Sequence, residues 1–214
     1  MAKAISLLFF CFISISCYAT SCEKINNRQP IFDKYINTIG DSITWQGDGQ
    51  YFRCLMRDNG LAYEFIGNYV DRFLFNHDGE GGNTTAQLIQ RLQTIPISDA
   101  YFLLIGINDI LQNVPTTTTF NNIVIISNAL NQKNKYANIY ISTLLPTIYK
   151  QNSDVQKLNK ILLQARNLCD KCKVIDVGGQ FYKLQDWPSY LIEGIHPNIE
   201  GYKQLSKFVV ESIQ

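Results

Sequence analysis

The chain has 214 residues, of which 46% are hydrophobic and 17% are charged, and its formal net charge is +1. This length suits one domain of ordinary size, and the apolar fraction is sufficient for a full core. Intrinsic disorder is excluded, because it requires low hydrophobicity and a high net charge. A charge so close to zero gives no electrostatic reason to expect nucleic acid or an anionic membrane as a partner.

The first 19 residues have the composition of a secretory signal peptide. A single lysine precedes an apolar run over residues 4–15, and Cys17 and Ala19 have the spacing that signal peptidase recognises. The run is short for a bilayer span, so a membrane anchor is the weaker interpretation. A lipoprotein signal is a further alternative, although neither nearby cysteine follows a good lipobox. We predict cleavage after Ala19, export, and no later membrane-spanning segment.

The mature chain would retain four cysteines, namely Cys22, Cys54, Cys169 and Cys172. An oxidising compartment allows disulfides, and four cysteines allow three pairings. Cys169 and Cys172 form a C-x-x-C motif, which elsewhere is a redox pair or half of a zinc site. Because no second such motif is present and the chain has only two histidines, structural disulfides or inert thiols are favoured over redox chemistry.

Apolar, strand-like runs alternate with helical patterns, which is typical of a parallel sheet covered by helices. The predicted strands cover residues 35–39, 63–70, 100–105, 137–145 and 173–177. The run at 100–105 is apolar throughout, as expected for a strand buried on both faces. No linker or repeat interrupts the pattern, so we predict one α/β domain over residues 20–214.

Helical patterns occupy the segments between these strands. The first has an apolar face that includes Phe52 and Met56, and it ends at Asn59-Gly60. Thr84 and Gln87 resemble a capping box at the start of a second helix. Further helices are predicted over residues 120–133, from a cap at Ser153, and from Ile199 to the C-terminus.

Polar and glycine-containing segments follow the predicted strands, at the edge where an open parallel sheet gathers its functional groups. They are Gly40-Asp41-Ser42, Gly79-Glu80-Gly81-Gly82-Asn83-Thr84-Thr85, Gly106-Ile107-Asn108-Asp109 and Glu193-Gly194-Ile195-His196-Pro197. Each segment alone has an ordinary explanation as a turn or a helix cap. Together they contain every group that an acyl-transfer site requires.

The chemistry assigns a role to five of these residues. Ser42 would be a nucleophile at a strand-to-helix turn, and His196 is a candidate base for its proton. Glu193 lies three residues before His196 and could orient the imidazole and favour its charged form. The backbone N–H groups of Ser42 and Gly82 and the side-chain amide of Asn108 could donate to the oxyanion.

The four segments, in this order, resemble the four sequence blocks of the SGNH/GDSL hydrolases, a family of serine esterases and lipases. The similarity extends from about Lys34 to the C-terminus. It implies a flavodoxin-like, three-layer fold with a central five-stranded parallel sheet, and ester hydrolysis without a metal or organic cofactor. It maps Ser42 to the nucleophile and first oxyanion donor, Gly82 and Asn108 to the other donors, and His196 to the base.

One position departs from the family pattern, which has aspartate where this chain has Glu193. Glutamate keeps the carboxylate but adds a methylene group, so its reach and angle differ. Glu193 as the acid after a small loop adjustment is the favoured interpretation. The alternatives are a dyad in which His196 relies on a backbone carbonyl, and a weakened enzyme or binding protein. Asp186 is a nearby carboxylate whose place in the sequence fits the family poorly.

Other polar residues near the motifs have simpler explanations. Asp41 and Asp109 are expected to accept backbone hydrogen bonds within their loops. His77 is expected in a surface loop. Asn83-Thr84-Thr85 is formally a glycosylation sequon, but a glycan there would crowd the proposed oxyanion hole.

The leading hypothesis is a secreted or periplasmic, monomeric serine ester hydrolase that resembles esterases, lipases and lysophospholipases. Its substrate would be a small acyl ester or a lysophospholipid, with Trp45 or Trp187 as a candidate apolar wall for an acyl chain. A carbohydrate O-acetylesterase or an acyltransferase would use the same residues. The alternative from another class is a non-catalytic, exported binding protein.

Overall fold

The computed structural model describes residues 22–23, 27–45, 47–166 and 168–214. The predicted signal peptide lies outside these residues. Within them, no helix is both long enough and apolar enough to cross a bilayer.

The central sheet contains β1 (Tyr35–Gly40), β2 (Glu64–Ile66), β3 (Tyr69–Val70), β4 (Asn76–Gly79), β5 (Ala100–Leu104), β6 (Asn138–Ser142) and β7 (Cys172–Ile175). Its order is β3-β4-β1-β5-β6-β7, and β2 pairs with the first half of β1 while β4 pairs with its end. Every pairing is parallel except that of β3 with β4. The sheet therefore has five parallel positions, as predicted, and β2 and β4 share one of them.

The prediction of one continuous strand over residues 63–70 is wrong. The pairing of β2 with β1 ends at Ile66. Beyond it, Asn68 donates its side-chain amide to the buried Asp78 carboxylate at 2.7 Å, which directs the chain away from β1. Gly67 packs so closely on the backbone of His77 that an added Cβ would lie 2.3 Å from the His77 carbonyl carbon. Consequently β4, the second strand of the β3–β4 hairpin, pairs with the end of β1 in place of a longer β2.

Eight helices flank the sheet in the described part of the chain: α1 (Ser42–Trp45), α2 (Phe52–Asp58), α3 (Thr85–Arg91), α4 (Ile107–Leu111), α5 (Thr116–Lys133), α6 (Asn152–Gln164), α7 (Val177–Tyr182) and α8 (Ile199–Ile213). Helices α2 and α7 pack against α8, whereas α3 and α6 pack against α5. All residues of β5 are buried, which confirms a strand covered on both faces. The α/β fold with helices on a mostly parallel sheet is thus confirmed.

Local sequence signals predicted some helix ends correctly and others incorrectly. The capping box of Thr84 and Gln87 is present, and α2 ends at Asp58 with Asn59 as its C-cap. Ser153 does not begin α6, because Gln151 holds the N-cap position and the Ser153 hydroxyl donates to a carbonyl of the preceding turn.

The cysteine pairing that the sequence left open is Cys22 with Cys54 and Cys169 with Cys172. The first disulfide attaches the segment before β1 to α2. The second closes a short turn at the start of β7.

A small antiparallel hairpin, β8 (Leu191–Ile192) and β9 (His196–Pro197), precedes α8 and carries the histidine of the last sequence block.

Candidate active site

The side chains of Ser42 and His196 meet at the end of β1. Ser42 is the first residue of α1, and its Oγ lies 2.8 Å from His196 Nε2. This separation allows the imidazole to accept the hydroxyl proton. The turn before Ser42 requires glycine, because a Cβ on Gly40 would lie 2.1 Å from Thr44 Oγ1 and 2.3 Å from the Leu104 carbonyl oxygen.

Buried hydrogen bonds fix the short helix that carries Ser42. Arg53 forms a fully buried ion pair with Asp71 at 2.7 Å and also donates to the Thr44 carbonyl at 2.6 Å. Tyr202 on α8 donates its hydroxyl to the Ile43 carbonyl at 2.7 Å. The main chain just after the proposed nucleophile is therefore held from two directions.

Asp41 accepts a backbone hydrogen bond, as expected from the sequence. Its Oδ1 accepts from the Ile43 N–H at 3.0 Å, while Oδ2 has no hydrogen-bond partner among the described residues. Burial raises the pKa of Asp41 to about 7, and the nearby charge of Asp109 adds to the shift. A carboxyl group that is partly protonated near neutral pH thus lies next to the nucleophile.

Glu193 lies beside the imidazole without a direct hydrogen bond to it. Its Oε2 is 3.7 Å from His196 Nδ1, and 76% of the Glu193 side chain is exposed. This distance permits charge attraction but exceeds that of a hydrogen bond. Asp186, in contrast, makes no polar contact with His196 in the described structure and lies at the start of the turn over residues 187–190.

The loop after β6 holds the turn that carries Glu193. Thr147 donates its hydroxyl to the Gly194 carbonyl at 2.8 Å, and the Ile148 N–H donates to the same oxygen at 3.1 Å. Tyr149 donates its hydroxyl to the Glu193 carbonyl at 3.0 Å. Gly194 has a φ of 71°, and an added Cβ would lie 2.2 Å from Ile148 Cγ1. Residues 147–149 match no block of the family, so no sequence motif marked them.

The proposed oxyanion donors lie on segments that contact one another. The Glu80 N–H donates to the Gly40 carbonyl at 3.1 Å, which brings the segment with Gly82 onto the nucleophile turn. Gly82 has a φ of 76°, a conformation that favours glycine. Asn108, at the start of α4, donates its amide to the Asn83 carbonyl at 3.0 Å. The structure thus brings the predicted blocks together.

Arg91 on α3 joins this arrangement, although no sequence motif marked it. Its guanidinium donates to Asn83 Oδ1 at 2.9 Å, to the Asp78 carbonyl at 2.9 Å and to the Gly40 carbonyl at 3.3 Å. Asn83 is buried, so the structure supports the exclusion of a glycan there. Arg91 therefore connects the glycine-rich segment to the nucleophile turn.

Asp109 links two elements of the site, in agreement with its expected structural role. Its carboxylate accepts hydrogen bonds from the backbone N–H of Thr85, at 2.8 Å, and from the Thr85 hydroxyl. This contact joins α4, which carries Asn108, to the start of α3.

The expectation that His77 lies in a surface loop is wrong. His77 is on β4 and is buried, because the β3–β4 hairpin folds the chain back against α1. Its Nδ1 accepts a hydrogen bond from the Gly79 N–H at 3.1 Å, and burial lowers the pKa of His77 to about 3. The imidazole is therefore neutral at physiological pH.

A cleft of about 630 Å³ lies beside α1 and the glycine-rich segment. Its lining comprises Trp45, Asn68, Tyr69, Val70, His77, Gly79, Glu80 and Gly81. Trp187 lies elsewhere and packs on Tyr182 with a ring separation of 5.6 Å. No group of three or more metal-binding side chains occurs among the residues that the structure describes.

Comparisons with known proteins agree with this geometry. The model of the GDSL-like Lipase/Acylhydrolase family matches residues 38–204. A search of curated proteins finds no match. The Clostridium thermocellum family 3 carbohydrate esterase is 20% identical with a TM-score of 0.67, over 84% of this chain and 94% of that one.

Two further solved structures have the same fold. A member of the lipolytic protein G-D-S-L family from Veillonella parvula is 21% identical with a TM-score of 0.67, over 83% of this chain and 96% of that one. A carbohydrate esterase family 3 protein from Talaromyces cellulolyticus is 17% identical with a TM-score of 0.65, over 84% and 96%. At such identities the likeness shows the fold alone.

Proposed function

Because the chain belongs to the GDSL-like lipase/acylhydrolase family, whose members hydrolyse ester bonds, we propose that it does so with Ser42 as the nucleophile and His196 as the base. The observation that carries the proposal is the 2.8 Å separation between Ser42 Oγ and His196 Nε2. A serine hydroxyl becomes a strong nucleophile only when such a base removes its proton.

In the proposed reaction Ser42 Oγ attacks the ester carbonyl and His196 Nε2 accepts the hydroxyl proton. The oxyanion then accepts hydrogen bonds from the backbone N–H groups of Ser42 and Gly82 and from the Asn108 amide. His196 returns the proton to the leaving alcohol, which breaks the ester C–O bond and leaves an acyl group on Ser42. Water attacks this acyl-enzyme and gives a proton to His196. The bond between the acyl carbon and Ser42 Oγ then breaks, His196 returns the proton to Oγ, and the carboxylic acid leaves.

We assign the acidic role to Glu193. Among the described residues its carboxylate is the nearest to His196 Nδ1, at 3.7 Å, and this exposed side chain would have to move closer to form a hydrogen bond. The role requires the turn of residues 191–197 to be rigid, and the hydrogen bonds from the loop after β6 supply that rigidity. A carboxylate here would stabilise the imidazolium that forms during each proton transfer.

We further propose that the protein is exported and that its substrate is a small acyl ester or a lysophospholipid. Two disulfides favour an oxidising compartment, and the first 19 residues have the pattern of a signal peptide. The cleft of about 630 Å³ is large enough for a substituent bigger than an acetyl group. A carbohydrate O-acetylesterase remains the second candidate of the same chemistry.

The test uses a fluorophosphonate probe and para-nitrophenyl esters from acetate to palmitate. We expect labelling and turnover in the mature protein, both lost in Ser42→Ala and both retained in Ser153→Ala, which removes an exposed hydroxyl on α6. Circular dichroism would establish that each variant is folded. Folded wild-type protein without labelling or turnover would contradict the proposal and favour a binding protein.

A further inference from the structure

The cleft beside α1 is lined by residues from two of the segments that carry proposed catalytic groups, α1 and the glycine-rich segment. Trp45 comes from α1, one turn after the nucleophile, whereas Tyr69 and His77 face each other across the β3–β4 hairpin. Asn68, Val70 and residues 79–81 complete the lining, and residue 81 leads directly to Gly82. The lining does not include Ser42 or His196, so a substrate whose ester lies at Ser42 would extend into the cleft past Trp45.

Three aromatic side chains line the cleft, and the buried His77 lies between Trp45 and Tyr69. The His77 ring lies 6.3 Å from the Trp45 ring at an interplanar angle of 19°, and 5.8 Å from the Tyr69 ring. Tyr69 is 44% exposed, so its ring is accessible to a ligand. Because burial holds the pKa of His77 near 3, the imidazole is neutral and does not repel a cation. Aromatic faces of this kind attract ammonium groups.

Glu80 supplies the one charged side chain among the described residues that line the cleft. Its Oε1 accepts a hydrogen bond from the Tyr69 hydroxyl and lies 3.5 Å from Arg91 Nε. Its Oε2 makes no hydrogen bond with the residues that the structure describes. One carboxylate oxygen thus remains available to a ligand.

Arg91 does not line the cleft, and its guanidinium donates to other acceptors besides its ion pair with Glu80. It donates to the Asn83 side chain and to the carbonyls of Asp78 and Gly40, and only 14% of its side chain is exposed. The cleft wall itself therefore combines aromatic faces with a carboxylate and contains no cationic side chain among the described residues.

We propose that this cleft binds the ammonium group of a cationic ester substrate, with the cation over the rings of Trp45 and Tyr69 and paired with Glu80. The inference rests on the proposed esterase function. A hydrocarbon chain fits the cleft less well, because it would cover the Glu80 carboxylate without offering it a hydrogen-bond donor or a charge. An ammonium group satisfies the rings and the carboxylate together.

Binding is tested first, without turnover. In a Trp187→Phe protein, Trp45 is the remaining tryptophan, because the chain has 2. We expect choline to change the Trp45 fluorescence saturably, and its neutral isostere 3,3-dimethylbutanol to bind at least about tenfold more weakly. Glu80→Gln, which keeps an acceptor for Tyr69, should reduce this preference for choline to about twofold or less. Glu211→Gln, at a half-exposed carboxylate on α8, should leave the preference unchanged.

Turnover is tested next, with acetylthiocholine and its neutral isostere 3,3-dimethylbutyl thioacetate. The ratio of their kcat/KM values should be at least about ten in the wild type and close to one in Glu80→Gln. This ratio cancels any general effect of the substitution on the esterase reaction. Lysophosphatidylcholine, as a third substrate, shows whether a phospholipid headgroup can supply the ammonium.

The two proposals can fail separately. Equal binding of choline and its isostere, or a choline preference unchanged in Glu80→Gln, would overturn the ammonium site even if neutral esters are hydrolysed. Choline binding that depends on Glu80, without hydrolysis of any ester, would contradict the esterase function and leave an ammonium-binding cleft.

Discussion

The hydroxyl group of Tyr149 donates a hydrogen bond of 3.0 Å to the main-chain carbonyl of Glu193. The side chain of Glu193 lies 3.7 Å from His196 on the other side of the same turn. The loop after β6 therefore determines where the proposed acid lies, although none of its residues contacts the imidazole through a hydrogen bond in the described structure.

Tyr149→Phe removes this hydrogen bond and keeps the ring. Loss of a bond worth about 1 kcal/mol allows the turn to move, so we expect kcat to fall about three- to tenfold with little change in KM. The measurement is the pH profile of kcat and KM on para-nitrophenyl acetate. Tyr136→Phe, at a ring that is 81% exposed and distant in sequence, serves as the control. An unchanged kcat would mean that the turn is rigid without Tyr149.

Glu193→Gln keeps the size of the side chain and removes its charge. Because Glu193 is 76% exposed and 3.7 Å from the imidazole, we expect a smaller loss of kcat than for a buried triad acid, about ten- to a hundredfold. Glu211→Gln is the matched control for removal of an exposed carboxylate. A kcat within about twofold of the wild type would favour a dyad in which His196 acts without Glu193.

The sequence predicts the site residues that belong to a motif at the end of a strand. Ser42 and Asn108 lie just after apolar runs, whose composition predicts that they are buried. The carboxyl ends of β1 and β5 are adjacent in any sheet of this order. Their proximity is therefore predictable. The chemistry of acyl transfer suggested roles for Gly82 and His196, and the order of the family blocks supported joining them to Ser42.

The missed features depend on contacts between distant residues. His77 is buried because Asn68 bonds to Asp78 and the chain forms a hairpin. Gly67-Asn68 interrupts the apolar run and is a turn signal, but the partner of Asn68 lies ten residues further along the chain. Similarly, Tyr149 matters through a main-chain carbonyl 44 residues away. A backbone acceptor is present at every position, so the sequence contains no signal for such a bond.

The titration of Asp41 should make the stability of the protein depend on pH. The unfolded chain ionises this group near its ordinary pKa of 3.8 and the folded chain at a pKa of about 7, so the folded state loses stability as the pH rises between these values. Asp41→Asn lacks this titration and keeps an acceptor for the Ile43 N–H. The unfolding free energy of the variant, relative to the wild type, should rise by up to about 4 kcal/mol over this range.

Urea denaturation at a series of pH values measures this difference, which should be constant again above about pH 7. Asp154→Asn, at an exposed position in the first turn of α6, should show no such rise. A difference between Asp41→Asn and the wild type that is flat from pH 4 to pH 7 would mean that Asp41 is ionised in the folded protein.

The two disulfides should contribute unequally to stability. Cys22 and Cys54 are 32 residues apart, whereas Cys169 and Cys172 are 3 apart, so the first closes the longer loop in the unfolded chain. In the chain-entropy model, replacing the first pair by serine should cost about 2 kcal/mol more than replacing the second. Urea denaturation of the two double variants measures the difference.

The Cys169→Ser/Cys172→Ser protein should also hydrolyse para-nitrophenyl acetate at the wild-type rate, because neither sulfur belongs to the proposed site. Loss of activity in this folded double variant would instead indicate thiol chemistry, and equal costs would mean that native-state strain outweighs loop length.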